Sequence, residues 1–195
     1  MTSPPPAGML LVISGPSGVG KTTITREVQR AFPGSVFSVS ATTRTPTPQD
    51  RPGVDYHFVS DEAFDDMIAR GEFLEHANVF GKKYGTPRAW VDEQLSAGRL
   101  VILEIDVQGA QNVRRQMPGA FCMFVLPPSE DVLLQRLRSR GRDSEETIQR
   151  RFGAAKREIE TARTCGIYDV FLVNSDLRET IEQAIASVRA ARASR

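Results

Sequence analysis

Apolar residues along this chain fall into short dense runs that alternate with amphipathic stretches. Met9 to Ser14 is apolar until it meets a glycine-rich loop, the pattern of a buried parallel strand, and Thr22 to Ala31 follows with helical character. The alternation returns in the second half. Leu100 to Ile105 reads as a strand, Val107 to Met117 as a helix, and Phe121 to Leu126 as a strand that stops before Pro127-Pro128. Val132 to Arg138 reads as a helix, Val170 to Val173 as a strand, and Leu177 to Arg192 as an Ala- and Ile-rich amphipathic helix. Strands alternating with helices predict an α/β fold around a parallel sheet.

Two stretches break the rhythm. From Ser40 to Pro87 Thr, Pro, Tyr and Gly become frequent, with short strands at Tyr56 to Val59 and Phe73 to Val79 around one helix, Asp61 to Arg70. This predicts an inserted α+β subdomain. From Arg136 to Arg151 apolar residues nearly vanish and arginines crowd in, so this segment is expected to be a mobile charged flap that adds little to the core. Residues 1–8 are read as a disordered leader, because Pro4, Pro5 and Pro6 sit there without any periodic apolar positions. Residues 9–195 are read as one domain: a core over about 9–39, 88–128 and 165–195, the insertion over about 40–87 and the flap over about 136–152.

Composition narrows the function classes. A chain of 195 residues, 40% hydrophobic, can bury one core of its own. Lys and Arg number 25 against 24 Asp and Glu, so no generic nucleic-acid or anionic-membrane surface is expected, and anion binding must be local. Cys122 and Cys165 are far apart and lack His or Cys companions, which points to buried thiols in a reducing compartment rather than to zinc. The run Met9 to Ile13 is far too short for a membrane span, and the expected location is the cytoplasm.

The chemistry begins at Gly15-Pro16-Ser17-Gly18-Val19-Gly20-Lys21-Thr22, followed by Thr23, which matches GxxxxGK[ST] between a predicted strand and a predicted helix. Glycines let successive backbone N–H groups turn inward on phosphates, Lys21 reaches the β and γ phosphates, and the Thr22 hydroxyl is placed for Mg²⁺. Such a loop leaves a GTPase, an ATP-driven motor and a small-molecule kinase open. Asp106-Val-Gln-Gly109 fits the DxxG of GTPases, yet no Asn-Lys-x-Asp string follows; Asn174-Ser-Asp176 lacks the lysine.

The acceptor side decides between them. The segment Phe37-Ser-Val-Ser40-Ala-Thr-Thr-Arg44-Thr-Pro, then Gly53-Val-Asp-Tyr56-His-Phe58, Glu72-Phe-Leu-Glu75 and Tyr84-Gly-Thr86, resembles the monophosphate-binding subdomain of guanylate kinases. The likeness runs through Glu104-Ile-Asp106-Val-Gln-Gly109, Pro127-Pro128-Ser129 and Arg136…Arg140…Arg151 to Asn174. It implies a P-loop NTPase-type parallel sheet flanked by helices, with a GMP-binding insertion and a small helical lid. The implied activity is transfer of the γ-phosphoryl group of ATP to GMP with Mg²⁺, and dGMP is admitted as an acceptor. The family's pattern implies that Ser40, Arg44, Tyr56 and Tyr84 hold the GMP phosphate and that Glu75 reads guanine with Thr86 and Ser40. Asp106 is implied at the exocyclic amine or a Mg²⁺-bound water, with Glu104 assisting at the metal. Arg136, Arg140 and Arg151 are implied as lid arginines and Asn174 as a contact of the ATP adenine.

The chemistry of these residue types agrees with those roles. A dianionic phosphate suits a guanidinium with hydroxyl donors, and guanine presents N1–H and N2–H side by side to a carboxylate. His57 and His76 are assigned to structure, and Trp90, Phe58 and Phe73 to the core. One departure stands out. Thr47 occupies the place of the family's usual second arginine, and Gln49-Asp50 replaces Gly-Glu, so Arg51 or Lys83 is expected to compensate or GMP binding to be weaker. Two alternatives remain: a kinase for AMP, UMP or dTMP, and a guanylate-kinase-like interaction module, which would lack a working P-loop.

Overall fold

The computed structural model describes residues 8–79, 81–139 and 144–195. Of the expected leader only Gly8 belongs to these; residues 1–7 and Arg140 lie outside them. Five parallel strands form the central sheet in the order β2-β7-β1-β8-β9: β1 (Met9–Ser14), β2 (Val36–Phe37), β7 (Leu100–Glu104), β8 (Phe121–Leu126) and β9 (Val170–Val173). β1 is flanked on both sides and fully buried, which is why it carries no polar residue before Ser14.

Two apolar layers cover the sheet. On one face Met9, Leu11 and Ile13 pack with Ile24 and Val28 of α1 (Lys21–Ala31) and with Ala184 and Val188 of α7 (Leu177–Ala193). On the other, Leu10 and Val12 meet Val91 of α3 (Arg88–Ser96) and Ala110 and Val113 of α4 (Val107–Gln116). The period-two split of β1 between these layers is what a strand between two helical layers requires.

The insertion forms a second sheet in the order β4-β3-β6-β5, from β3 (Ala41–Thr42), β4 (His57–Phe58), β5 (Phe73–Val79) and β6 (Lys82–Pro87), with α2 (Asp61–Ala69) against it. Ser60 caps α2 by accepting from the Ala63 N–H, and Phe64 stacks on Phe73 to make a small separate core. β6, whose central glycine and flanking lysines hide its alternation, was not expected from the pattern.

The arginine-rich segment departs most from expectation. It overlaps the end of α5 (Glu130–Ser139) and the start of α6 (Glu145–Thr164), and it does contribute core: its Leu137 and Ile148 join Leu133 and Ala155 in a buried cluster. Ser144 caps α6 by accepting from the Thr147 N–H, and Glu145 and Glu146 favour the positive end of the helix. Its buried positions Ile148, Ala155 and Ala162 recur every seven residues, two of them alanines, so the apolar stripe is too thin to register as a core face.

Candidate active site

The phosphate-type loop connects β1 to α1 at the carboxyl end of the sheet, where open α/β folds place ligands. Gly20 precedes α1 with φ 100°, a conformation glycine adopts without strain. The Lys21 ammonium folds back on the loop and donates to the carbonyls of Gly15 and Pro16. Parallel pairing sets Ile13 beside Glu104, carrying the end of β7 to the mouth of the loop. There the Thr22 hydroxyl donates to Glu104 Oε1 at 2.8 Å. Two residues on, Asp106 caps α4, its Oδ1 accepting from the Gly109 N–H at 2.7 Å.

The insertion supplies the opposite wall. Antiparallel register sets Glu75 of β5 opposite Thr86 of β6, and the Thr86 hydroxyl donates to Glu75 Oε1 at 2.6 Å. Both are buried, and Glu75 is only 4% exposed. Desolvation is the main cause that pushes its carboxyl up to about 7, with the nearby Asp106 adding to the rise while the Thr86 hydrogen bonds oppose it. α4 starts so close to this carboxylate that a Cβ on Gly109 would stand 2.6 Å from Glu75 Oε2. Asp106 is raised as well, chiefly by burial.

Farther out, Tyr56 and Tyr84 meet edge to face with centroids 5.8 Å apart, and the Arg44 guanidinium lies 5.1 Å from the Tyr56 ring centre. Asp50 grips Arg44 in a two-pronged pair at 2.8 and 3.0 Å and also accepts from the Thr47 hydroxyl at 2.7 Å. The hydrogen bonds from Arg44 and then Thr47 hold the Asp50 carboxyl well below the usual carboxylate range. The two cations expected to stand in for a second arginine have carboxylate partners: Arg51 pairs with Asp55, and Lys83 with Asp65 and Asp61.

A cavity of about 450 Å³ brings most of these groups together: Gly15, Ser17, Gly18, Gly20, Lys21, Thr22 and Thr23 on one side, Ser40, Tyr56, Glu75 and Tyr84 on the other, with Glu104, Asp106 and Arg151 between them. It adjoins a wider cleft of about 1320 Å³ that holds Arg44, Thr47 and Asp50 and shares Thr22, Ser40, Tyr56, Glu104 and Arg151 with the first. Pro16 and Val19 do not line the cavity, and Val19 is a core residue. Arg136 is also absent from the lining; its Nη2 donates to the Asn174 carbonyl at 3.0 Å.

Asn174 itself is buried, and its amide nitrogen donates to the Val19 carbonyl at 2.7 Å. Sequence reasoning missed Glu158, which shares the cavity and whose carboxyl burial raises to about 7, against the pull of Lys21. Its spacing of seven from Arg151 puts both on one face of α6, a signal hidden as long as α6 went unrecognised as one helix.

Known proteins resemble this chain over most of its length. The guanylate kinase family model matches residues 7–191. A guanylate kinase of Anaeromyxobacter dehalogenans is 50% identical over 183 residues, covering 93% of this chain and 80% of that one. Another from Thermosynechococcus vestitus is 50% identical over 182 residues, covering 93% and 94%. The crystal structure of guanylate kinase from Anaplasma phagocytophilum superposes with a TM-score of 0.78 at 33% identity over 95% of this chain and 87% of that one. A complete phosphate loop, a buried carboxylate facing it and a likeness spanning nearly the whole length therefore place this chain in the guanylate kinase family.

Proposed function

We propose that this protein transfers the γ-phosphoryl group of ATP to GMP, giving ADP and GDP, in guanine nucleotide synthesis and recycling. The observation that carries the reading is the buried Glu75, which lines the cavity that also holds the phosphate loop and is backed by Thr86, itself outside the lining. Guanine N1–H and N2–H both donate to one carboxylate, so GMP compensates the burial of Glu75 while adenine, lacking N1–H, leaves it unpaired. Thr86 and Ser40 serve the O6 or N2 edge, and Asp106, with Oδ1 engaged in its cap, keeps a second oxygen for the exocyclic amine or for a metal-bound water.

Ser40, Arg44, Tyr56 and Tyr84 hold the GMP phosphate. Asp50 and the Thr45 carbonyl use only part of the Arg44 fork, and its guanidinium carbon lies over the Tyr56 ring. The attacking phosphate oxygen is mostly ionised at neutral pH, its second pKa being about 6, so no general base is needed. Alignment and charge neutralisation remain. Lys21 exchanges loop carbonyls for the β and γ phosphates, the loop's N–H groups hold them, and Arg151 faces the transferring group, with Arg136 and Arg140 as further lid arginines.

The oxygen-only pair Thr22 and Glu104 suits Mg²⁺, which is held mainly by substrate phosphates; among the described residues no cluster of three or more ligating side chains competes with that arrangement. Thr22, with Glu104 or Asp106 acting through water, would hold Mg²⁺ beside the phosphate loop, where it would supply neutralisation of the phosphate charge. Residues 40–87 act as the GMP-binding subdomain and about 136–152 as the lid that excludes water. The free thiols Cys122 and Cys165 suit a cytoplasmic setting, and no described helix is long and apolar enough to cross a membrane.

Diphosphate formation from GMP, dGMP, AMP, UMP and dTMP with Mg-ATP tests the reading. GMP is expected to exceed AMP by ~10²-fold or more in kcat/KM; equal use of AMP would overturn the assignment of Glu75.

A further inference from the structure

Val19 is a core residue whose peptide link to Gly20 lies at the hinge between the phosphate loop and α1, and its carbonyl is bound by a side chain 155 positions away. That side chain is Asn174, placed just beyond β9. Asn174 makes three polar contacts with the protein at 3.0 Å or less. Its N–H donates to the Leu126 carbonyl at 2.8 Å, extending the β8–β9 pairing. Its Nδ2 donates to Val19 O at 2.7 Å, and its own carbonyl accepts from Arg136 Nη2 at 3.0 Å. Only Oδ1 is weakly engaged, because the Thr180 hydroxyl at 3.4 Å gives its proton to the Asp176 carbonyl at 2.6 Å. The residue is 4% exposed and does not line the nucleotide cavity.

We propose that Asn174 is a positioning residue that aims the phosphate loop and Arg136, and that it does not read the donor base. The inference rests on the phosphotransfer reading above. In a planar trans peptide the C=O and the following N–H point in opposite directions. Holding Val19 O from behind therefore points the Gly20 N–H forward, and Gly20, not Val19, faces the cavity. Gly20, with φ 100°, resists rotation of that plane very little by itself. Asn174 supplies the missing resistance, and the fit is close: a Cβ on Gly20 would stand 2.7 Å from Asn174 Nδ2.

The same residue restrains Arg136. One terminal nitrogen of its guanidinium is satisfied by Asn174, while the other, Nη1, is buried with no partner among the described residues. A buried unpaired cationic donor is costly and calls for an acceptor. Asn174 thus fixes one prong and leaves the second for an anionic oxygen brought by the donor nucleotide or by lid movement.

The test compares Asn174→Ala with the parent chain by amide hydrogen exchange and by kinetics with ATP and with purine riboside triphosphate, which lacks the 6-amino group. Positioning predicts faster exchange of the 15–22 loop in the free enzyme with no change at 73–79. It also predicts a kcat lowered ~10- to 100-fold by the same factor for both donors, and a KM for GMP within about twofold of the parent. Unchanged loop exchange, or a loss confined to ATP, overturns the proposal. If Asn174→Ala does not fold, Asn174→Ser is judged by the same two readouts after a thermal melt shows it folded. A parent chain without GMP kinase activity would refute the proposed function, while the exchange comparison would still decide whether Asn174 holds the loop.

Discussion

On the function proposed above, the two sides of the cavity recognise their ligands by different physics. The donor side is one continuous segment, Gly15 to Thr22, whose binding groups are mostly main-chain N–H groups and whose shape is held from behind by a sheet end and a single amide. The acceptor side is gathered from Ser40, Arg44, Tyr56, Glu75 and Tyr84 on short strands and loops, and on the proposed reading it works through side chains. Phosphate is common to all nucleotides, so uniform backbone donors suffice for it. Telling guanine from adenine needs a buried carboxylate, and a buried carboxylate destabilises the empty protein.

That contrast is most sharply broken or upheld at Lys21. Lys21→Ala is expected to lower kcat by ~10³-fold or more with the melting temperature nearly unchanged and GMP binding retained in calorimetry. Loss of GMP binding as well would mean the two sides are not separable. Next in size is Glu75→Gln. It should reduce kcat/KM for GMP by ~10²-fold or more while leaving nucleotide triphosphate binding intact.

The same substitution should raise stability at pH 8, by on the order of 2 kcal/mol in a denaturant melt. The sign follows from the raised carboxyl, about 7 when folded against the ordinary value of 4.5. The folded protein favours the neutral form, so this group's contribution is complete below about 4.5 and is lost as pH rises through 7. Gln removes that loss. Equal stability of the two proteins at pH 8 would contradict the burial argument.

A smaller effect is expected in the pH profile. On the proposed reading guanine binds the ionised carboxylate, so kcat/KM for GMP should fall as pH drops below about 7, by at most about tenfold per unit, and Glu75→Gln should abolish that limb between pH 6 and 7. The smallest expected effect is Thr47→Arg. Because Arg51 and Lys83 are already paired with Asp55 and Asp65, an added guanidinium should lower the KM for GMP ~3- to 10-fold; an unchanged KM would show that another cation fills the role.

Legibility in the sequence followed the range of the interactions. β1 and β8 have the bounds their apolar runs suggested, because strands buried between layers must be apolar along their length; β5 and β9 also have the suggested bounds, though each is partly exposed. α6 was hidden because its buried stripe is Ile148, Ala155 and Ala162 on an otherwise charged helix, and alanines carry little pattern. Glu158 was hidden with it. Asn174 was visible as a residue but not as a clamp, since nothing local to it indicates Val19.

The sequence by itself determined the parallel α/β core and the phosphate loop, because apolar periodicity and a contiguous loop motif are local properties, and its resemblance to guanylate kinases implied the polar side chains suited to a guanine monophosphate. Only the tertiary structure decided which charges face the cavity and which are spent on neighbours. Glu75 is driven toward neutrality by burial between β6 and α4, Arg44 is gripped by Asp50, and Arg136 is turned to Asn174. These outcomes depend on desolvation and on partners far along the chain, and neither quantity is written in any short stretch of residues.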